Sequence, residues 1–338
     1  MEKKETRLLV PDMHVAEQIR SGTQSTLKYV SLVTLTVQNA ALNLAMRSSR
    51  TQKELFVAST AVVMAECIKL ITCLSIIRFE EGSWSRTISS AQKTVFINFW
   101  DTLKVAIPSF VYTIQNNLLY VGATHLDAAT CQVTYQLKIL TTALFSIALL
   151  RKKISAIQWV SLFMLFIGVA LVQLAQLDKP SVNSTGREQN PWLGLMAIVM
   201  ACALSGFAGV YFEKILKGAD ISVWMRNVQL SVVSIPVGLL TTFSYDYAEV
   251  SAKGFFHGYN AIVWSVILLQ ALGGLLVAMV VRYADNILKG FATSLAIILS
   301  CIVSIYAFGF VLTFNFCAGT CLVIASVFLY SSKIQLKL

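Results

Sequence analysis

Residues 126–150 read LDAATCQVTYQLKILTTALFSIALL. At helical rise a bilayer is crossed by roughly 20 apolar residues, so this stretch is long enough to span one. Near its middle it carries Lys138. An ammonium at that depth costs about 2.5–3.5 kcal/mol on insertion scales and normally faces a polar cavity or a partner. Helical spacing puts Cys131, Thr134, Tyr135, Thr141 and Thr142 beside it. The pattern predicts one wet stripe on an oily helix, the wall of a solute pathway.

The rest of the chain agrees. Of 338 residues, 56% are hydrophobic and 13% are charged, against about 25% charged in a soluble globule. Apolar runs recur along nearly the whole length, so the expectation is an all-α polytopic membrane protein. The first 25 residues are charged and polar, which predicts no cleavable signal and a first span that acts as its own anchor. The net charge of +10 is read as basic loops on the cytosolic side of a membrane, not as a nucleic-acid surface. All seven cysteines fall inside expected spans, where they act as small apolar fillers. No cofactor or metal is expected.

Ten spans are predicted, near 27–46, 54–77, 104–124, 126–150, 154–176, 192–215, 221–243, 260–283, 285–309 and 311–331. With the N-terminus cytosolic, 18 of the 27 lysines and arginines lie on that side, six lie opposite, and Lys69, Lys138 and Lys289 lie within spans. That bias puts both termini in the cytosol. The sequon at Asn183 then falls on the lumenal side. The polar loop 177–191 divides a first five-helix unit, 27–176, from a second, 192–331, with tails 1–26 and 332–338. An odd number of spans per unit forces duplicated units to insert in opposite senses, the plan of many secondary transporters with a midplane site. A faint echo supports duplication: LKILTTAL at 137–144 and LKGFATSL at 288–295 share L-K-x-x-x-T-x-L.

Several constellations are candidates for function. Lys138 and Lys289 come from corresponding spans, and two cations across a cavity suit a pyrophosphate between them. The alternative pairs Lys138 locally with Asp127 and leaves Lys289 at a span end near Asp285. Tyr112, Gln115 and Asn116 share a helical face, suited either to phosphate and sugar contacts or to interhelical hydrogen bonds. Asn227, Ser231 and Ser234 recur at helical spacing, and an asparagine suits a nucleobase edge. Arg226 beside them reads as a membrane-end anchor. Ser205, Gly206, Gly209, Gly273 and Gly274 permit close packing or close ligand approach. Glu66 and Lys69, three apart, suit an ion pair, structural or gating. His14, His125 and His257 lie in loops or near span ends, and no G-x-S-x-G, H-E-x-x-H or P-loop pattern is present. The chain therefore does not read as an enzyme.

These residues carry a resemblance. YTIQNN at 112–117, DAATCQVTYQLK at 127–138, SGFAGVYFEK at 205–214, VWMRN at 223–227 and YADNILKGF at 283–291 resemble the Golgi nucleotide-sugar transporters. The similar branch holds the CMP-sialic acid, UDP-galactose and UDP-N-acetylglucosamine carriers. The resemblance implies a drug/metabolite-transporter fold of ten helices in two inverted repeats. It implies alternating-access exchange of a cytosolic nucleotide sugar for lumenal nucleoside monophosphate, here a UDP-sugar for UMP. It places Lys138, Lys289 and Tyr112 on phosphate, and Asn116, Asn227 and Ser205 on the nucleotide. Gln132, Thr134, Tyr135 and Ser231 belong to the same lining, and Gly273 and Gly274 are kept beside them as small residues that admit a ligand. Cys131 and Ser231 stand where the CMP-sialic acid carrier has tyrosines, and 139–146 and 290–295 look more like the UDP-galactose and UDP-N-acetylglucosamine carriers. The resemblance also implies a Golgi membrane, and leaves room for a homo-oligomer or for association with lumenal glycosyltransferases. The alternatives are a CMP-sialic acid carrier, another drug or metabolite exporter on the same scaffold, and, last, a non-transporting scaffold.

Overall fold

The structure is a computed structural model. It describes the backbone of residues 13–97, 99–177, 189–216, 221–283 and 286–331, and the side chains of 30, 33–97, 100–174, 189–212, 214–215, 221–276 and 295–330. Among the described residues it is helical throughout, without strands. The long helices are α1 Met13–Arg50, α2 Ala58–Glu81, α4 Phe99–His125, α7 Ala156–Leu177, α8 Pro191–Leu216, α9 Val223–Tyr245, α11 Ala261–Tyr283, α12 Asn286–Phe308 and α13 Phe314–Ser331. Shorter ones are α3 Trp84–Gln92, α5 Ala128–Thr134, α6 Lys138–Leu150 and α10 Tyr247–Lys253.

Local sequence sets these boundaries. α2 stops at Gly82, whose φ of +75° is the left-handed conformation glycine tolerates. α9 starts at Ser222, whose side chain accepts a hydrogen bond from the Met225 amide at 3.2 Å. Pro191 occupies the first position of α8, where its missing N–H costs nothing. Five spans among the described residues, Ala58–Glu81, Ala128–Leu150, Ala156–Leu174, Pro191–Phe212 and Val223–Tyr245, are long and apolar enough to cross a membrane. Phe163, Phe166, Met196 and Leu240 point outward from such helices, as lipid-facing residues do.

The helices pair in a regular way. α7 packs on α13 and α2 on α9; α4 lies on α8 as α1 lies on α11; α6 meets α8 as α12 meets α1. A core of Leu126, Val133, Leu165, Val172, Ile297 and Val323 fills the space among α5, α7, α12 and α13. Aromatic edges close one end, where Tyr120 and Tyr259 each meet Phe56. Burial pushes the Tyr259 hydroxyl up to about 12, opposed by its bond with Thr60.

Three expectations are corrected. The stretch 126–150 is not one continuous helix: Tyr135–Leu137 form a 3-10 turn between α5 and α6. The Cys202 thiol meets the Tyr135 carbonyl at 3.5 Å, and a donor inserted into the helical ladder is one of the recognised causes of a break. The connection 78–103 is not a plain loop. It contains α3 and a π-turn at Lys93–Ile97 that leads into α4. Arg226 is not a membrane-end anchor. It is fully buried and ion-pairs with Asp101, while its Nη1 donates to Gln229 at 2.9 Å. A guanidinium buried this way is held by its partner, not by water.

Candidate functional site

The 3-10 turn is the centre of the site. It ends at Lys138, the first residue of α6. A short 3-10 stretch within a helical run often marks a hinge or a functional position. The half-buried Lys138 ammonium lies 4.4 Å from the centre of the Tyr135 ring, within cation–π range. The Tyr135 hydroxyl accepts from Gln115 Nε2 at 2.9 Å and donates to Ser205 Oγ at 3.4 Å. One tyrosine therefore carries the cation on its face and joins α4, the turn and α8 at its tip.

α8 holds α6 in place from behind. Thr141 Oγ1 donates to the Cys202 carbonyl at 2.6 Å. A Cβ built on Gly206 would lie 2.6 Å from Thr141 Oγ1 and 2.8 Å from the Thr141 carbonyl carbon, so only glycine lets these backbones approach. Gly273 faces a side chain instead of a backbone: a Cβ there would meet the Gln38 carboxamide, which is held by the Leu269 carbonyl at 3.1 Å. At Gly209 and Gly274 a Cβ would meet nothing within 4 Å. Small residues thus serve packing at two positions and leave open space at two others.

Beside Lys138 is a cavity of about 100 Å³. Its polar wall is Asn39, Asn43, Gln132, Tyr135, Gln136 and Lys138, and no carboxylate lines it among the described residues. Asn39 and Asn43 are the functional candidates the sequence reading missed. With Arg47 they recur every four residues along α1, a polar stripe that was there to be found. Arg47 itself is buried and joins α1 to the end of α4. Its Nη1 donates to the carbonyls of Ala123 and Thr124 at 2.8 and 2.9 Å, and its Nη2 lies 3.6 Å from Asp127. Asp127 is thus the partner of Arg47, a different assignment from the local Lys138 pair considered above.

The other sequence-derived candidates fall in three places. Tyr112 and Asn116 are half-buried on α4, on the helix that also carries Gln115. Thr134 turns away from the cavity and accepts from Gln173 Nε2 at 2.7 Å. The 3-10 turn explains this, since it shifts the helical phase between Thr134 and Thr141. Ser231 is buried and donates to Glu66 Oε2 at 3.0 Å, while Lys69 Nζ holds Glu66 Oε1 at 2.8 Å. Those three form a cluster between α2 and α9. Asn227 lies in the first turn of α9 and donates to the Val223 carbonyl at 2.9 Å. Lys289 begins α12, but its side chain and the Asn183 sequon lie outside the described residues.

Comparison with known proteins gives the family. The profile of the nucleotide-sugar transporter family matches residues 23–331. The UDP-galactose translocator of Mus musculus is 52% identical over 307 residues, 90% of this chain and 78% of that protein. The UDP-N-acetylglucosamine transporter of Homo sapiens is 51% identical over 312 residues, 90% of this chain and 95% of that protein. A solved crystal structure superposes over 93% of this chain and 99% of its own with a TM-score of 0.50 at 10% identity, a likeness of fold alone. A cation at a helix break beside a polar cavity is thus set in a chain that belongs to the nucleotide-sugar transporter family.

Proposed function

We propose that this protein carries a UDP-sugar, UDP-galactose or UDP-N-acetylglucosamine or both, from the cytosol into the Golgi lumen in exchange for UMP. The observation that carries this reading is the Lys138 ammonium at a 3-10 turn in a membrane-length helix, facing a cavity without carboxylates among the described residues, in a chain about half identical to two kinds of UDP-sugar carrier. Lysine binds phosphate as a compact point charge. Lys138 and Lys289 supply two positive charges, with Tyr112 as a further phosphate donor. Asn116, Ser205 and Asn227 address the nucleotide. Near neutral pH UMP carries close to two negative charges, its second pKa being about 6. The diphosphate of a UDP-sugar carries two as well, so the swap moves little net charge.

The helix pairings support two inverted five-helix repeats around this site. Exchanging the first unit with the second maps the α4–α8 contact onto α11–α1 and α6–α8 onto α12–α1. It maps α2–α9 and α7–α13 each onto itself. Alternating access then rocks one repeat against the other about a midplane site. The lysine and arginine bias favours cytosolic termini.

The test is counterflow. Proteoliposomes loaded with UMP take up radiolabelled UDP-galactose or UDP-N-acetylglucosamine several-fold faster than empty ones, and unlabelled CMP-sialic acid competes poorly. Uptake that ignores internal UMP and follows a proton gradient instead would assign the chain to a different class of exporter.

A further inference from the structure

The cavity beside Lys138 has a chemistry that phosphate binding does not use. Its wall carries four carboxamides: Asn39 and Asn43 from α1, Gln132 from α5, and Gln136 from the 3-10 turn. A carboxamide offers both N–H donors and a carbonyl acceptor. Ionised phosphate only accepts, so the carbonyl oxygens of these carboxamides find no donor in a diphosphate. A ring of hydroxyls, each donor and acceptor at once, matches them. Gln136 is 1% exposed, and its Oε1 has no hydrogen-bond partner among the described residues. A buried acceptor left unmade costs about 1–3 kcal/mol, and a ligand hydroxyl at the cavity supplies the missing donor. A carboxylate would also accept from a sugar, but it would repel a diphosphate a few ångströms away; among the described residues the lining is neutral apart from Lys138.

Position points the same way. Ser205 is at the tip of Tyr135, whereas the cavity reaches Ile198, two turns earlier on α8. With the nucleotide on the Ser205 side and the diphosphate at Lys138, the remaining moiety enters the cavity. The repeat exchange also relates α8, which bears Ser205, to α1, which bears Asn39 and Asn43.

We infer that Asn39, Asn43, Gln132 and Gln136 form the hexose subsite, in which α1 and the α5 turn read the sugar hydroxyls that distinguish one UDP-sugar from another. Cys131 also lines this cavity and is 4% exposed, so its small side chain leaves the hexose its room. This inference rests on the proposed exchange, and its test separates the two. Half-saturating concentrations of UDP-galactose, UDP-N-acetylglucosamine and UMP are measured in UMP-loaded proteoliposomes for the wild type, Asn39→Leu and Gln132→Leu. Loss of hydrogen bonds to the hexose raises the ratio of the UDP-sugar value to the UMP value roughly tenfold, by different factors for the two sugars. Both half-saturating concentrations rising together, or neither moving, in both variants overturns the subsite and leaves the exchange standing. Failure of the wild type to respond to internal UMP overturns the exchange itself.

Discussion

Lys138→Ala abolishes exchange: initial UDP-sugar uptake into UMP-loaded proteoliposomes falls by at least about thirtyfold, the lower end of what truncating one partner of a buried charged contact costs. The reason is local. The ammonium stands on the Tyr135 ring at 4.4 Å, Tyr135 is fixed by Gln115 and Ser205, and α6 is pinned to α8 through Thr141. The charge is therefore preorganised, and little ordering is left for the ligand to impose. Lys138→Arg keeps the charge but replaces a compact ammonium with a planar fork. It retains a fraction of the activity and does not restore it. Uptake by Lys138→Ala within twofold of the wild type would remove Lys138 from the mechanism.

Asp101→Ala destabilises the protein by about 3–5 kcal/mol, the cost of stranding a buried charge. Arg226 is fully buried. Its Nη1 is shared between Asp101 and Gln229, and its Nε and Nη2 have no hydrogen-bond partner among the described residues. Asp101 is thus the counter-charge that makes the guanidinium tolerable. Gln229 depends on it as well, donating from Nε2 to Asp101 at 3.2 Å and to the Thr94 carbonyl at 3.2 Å. The cluster joins α9, α4 and the π-turn, and its loss loosens all three. Adding Arg226→Met to Asp101→Ala removes the stranded charge and recovers most of the stability, because an apolar replacement of a buried pair is often neutral or better. The check is the apparent unfolding temperature in detergent. A double variant no more stable than Asp101→Ala would show that the pair is not the source of the effect.

How much of this was legible beforehand differs from element to element. The membrane class was, because apolar runs of bilayer length are coarse signals that local detail cannot erase. Lys138 was legible because a cation inside such a run is expensive wherever it points. The break at Tyr135–Leu137 was not. A thiol from α8, 67 residues away in sequence, meets the carbonyl of Tyr135 there, and no helical periodicity encodes that contact. Of the stripe expected around Lys138, Cys131 and Tyr135 line the cavity, whereas Thr134 bonds to Gln173 and Thr141 to the Cys202 carbonyl. Arg226 was misread because an arginine at a span end usually reaches for the interface, and only the fold brings Asp101 to it. Asn39 and Asn43 were overlooked because asparagines on a helix are commonplace. Their meaning appears only when α1 faces the α5 turn.

The account stands on the Lys138 ammonium holding ligand phosphate, and calorimetry in detergent with UMP and uridine isolates that contact. The two ligands differ only in the phosphate, so the ratio of their dissociation constants reports its binding and cancels any general loss of fold. The ratio is predicted to favour UMP strongly in the wild type and to shrink at least tenfold in Lys138→Ala, with uridine affinity unchanged. A ratio in Lys138→Ala equal to that of the wild type would contradict the account.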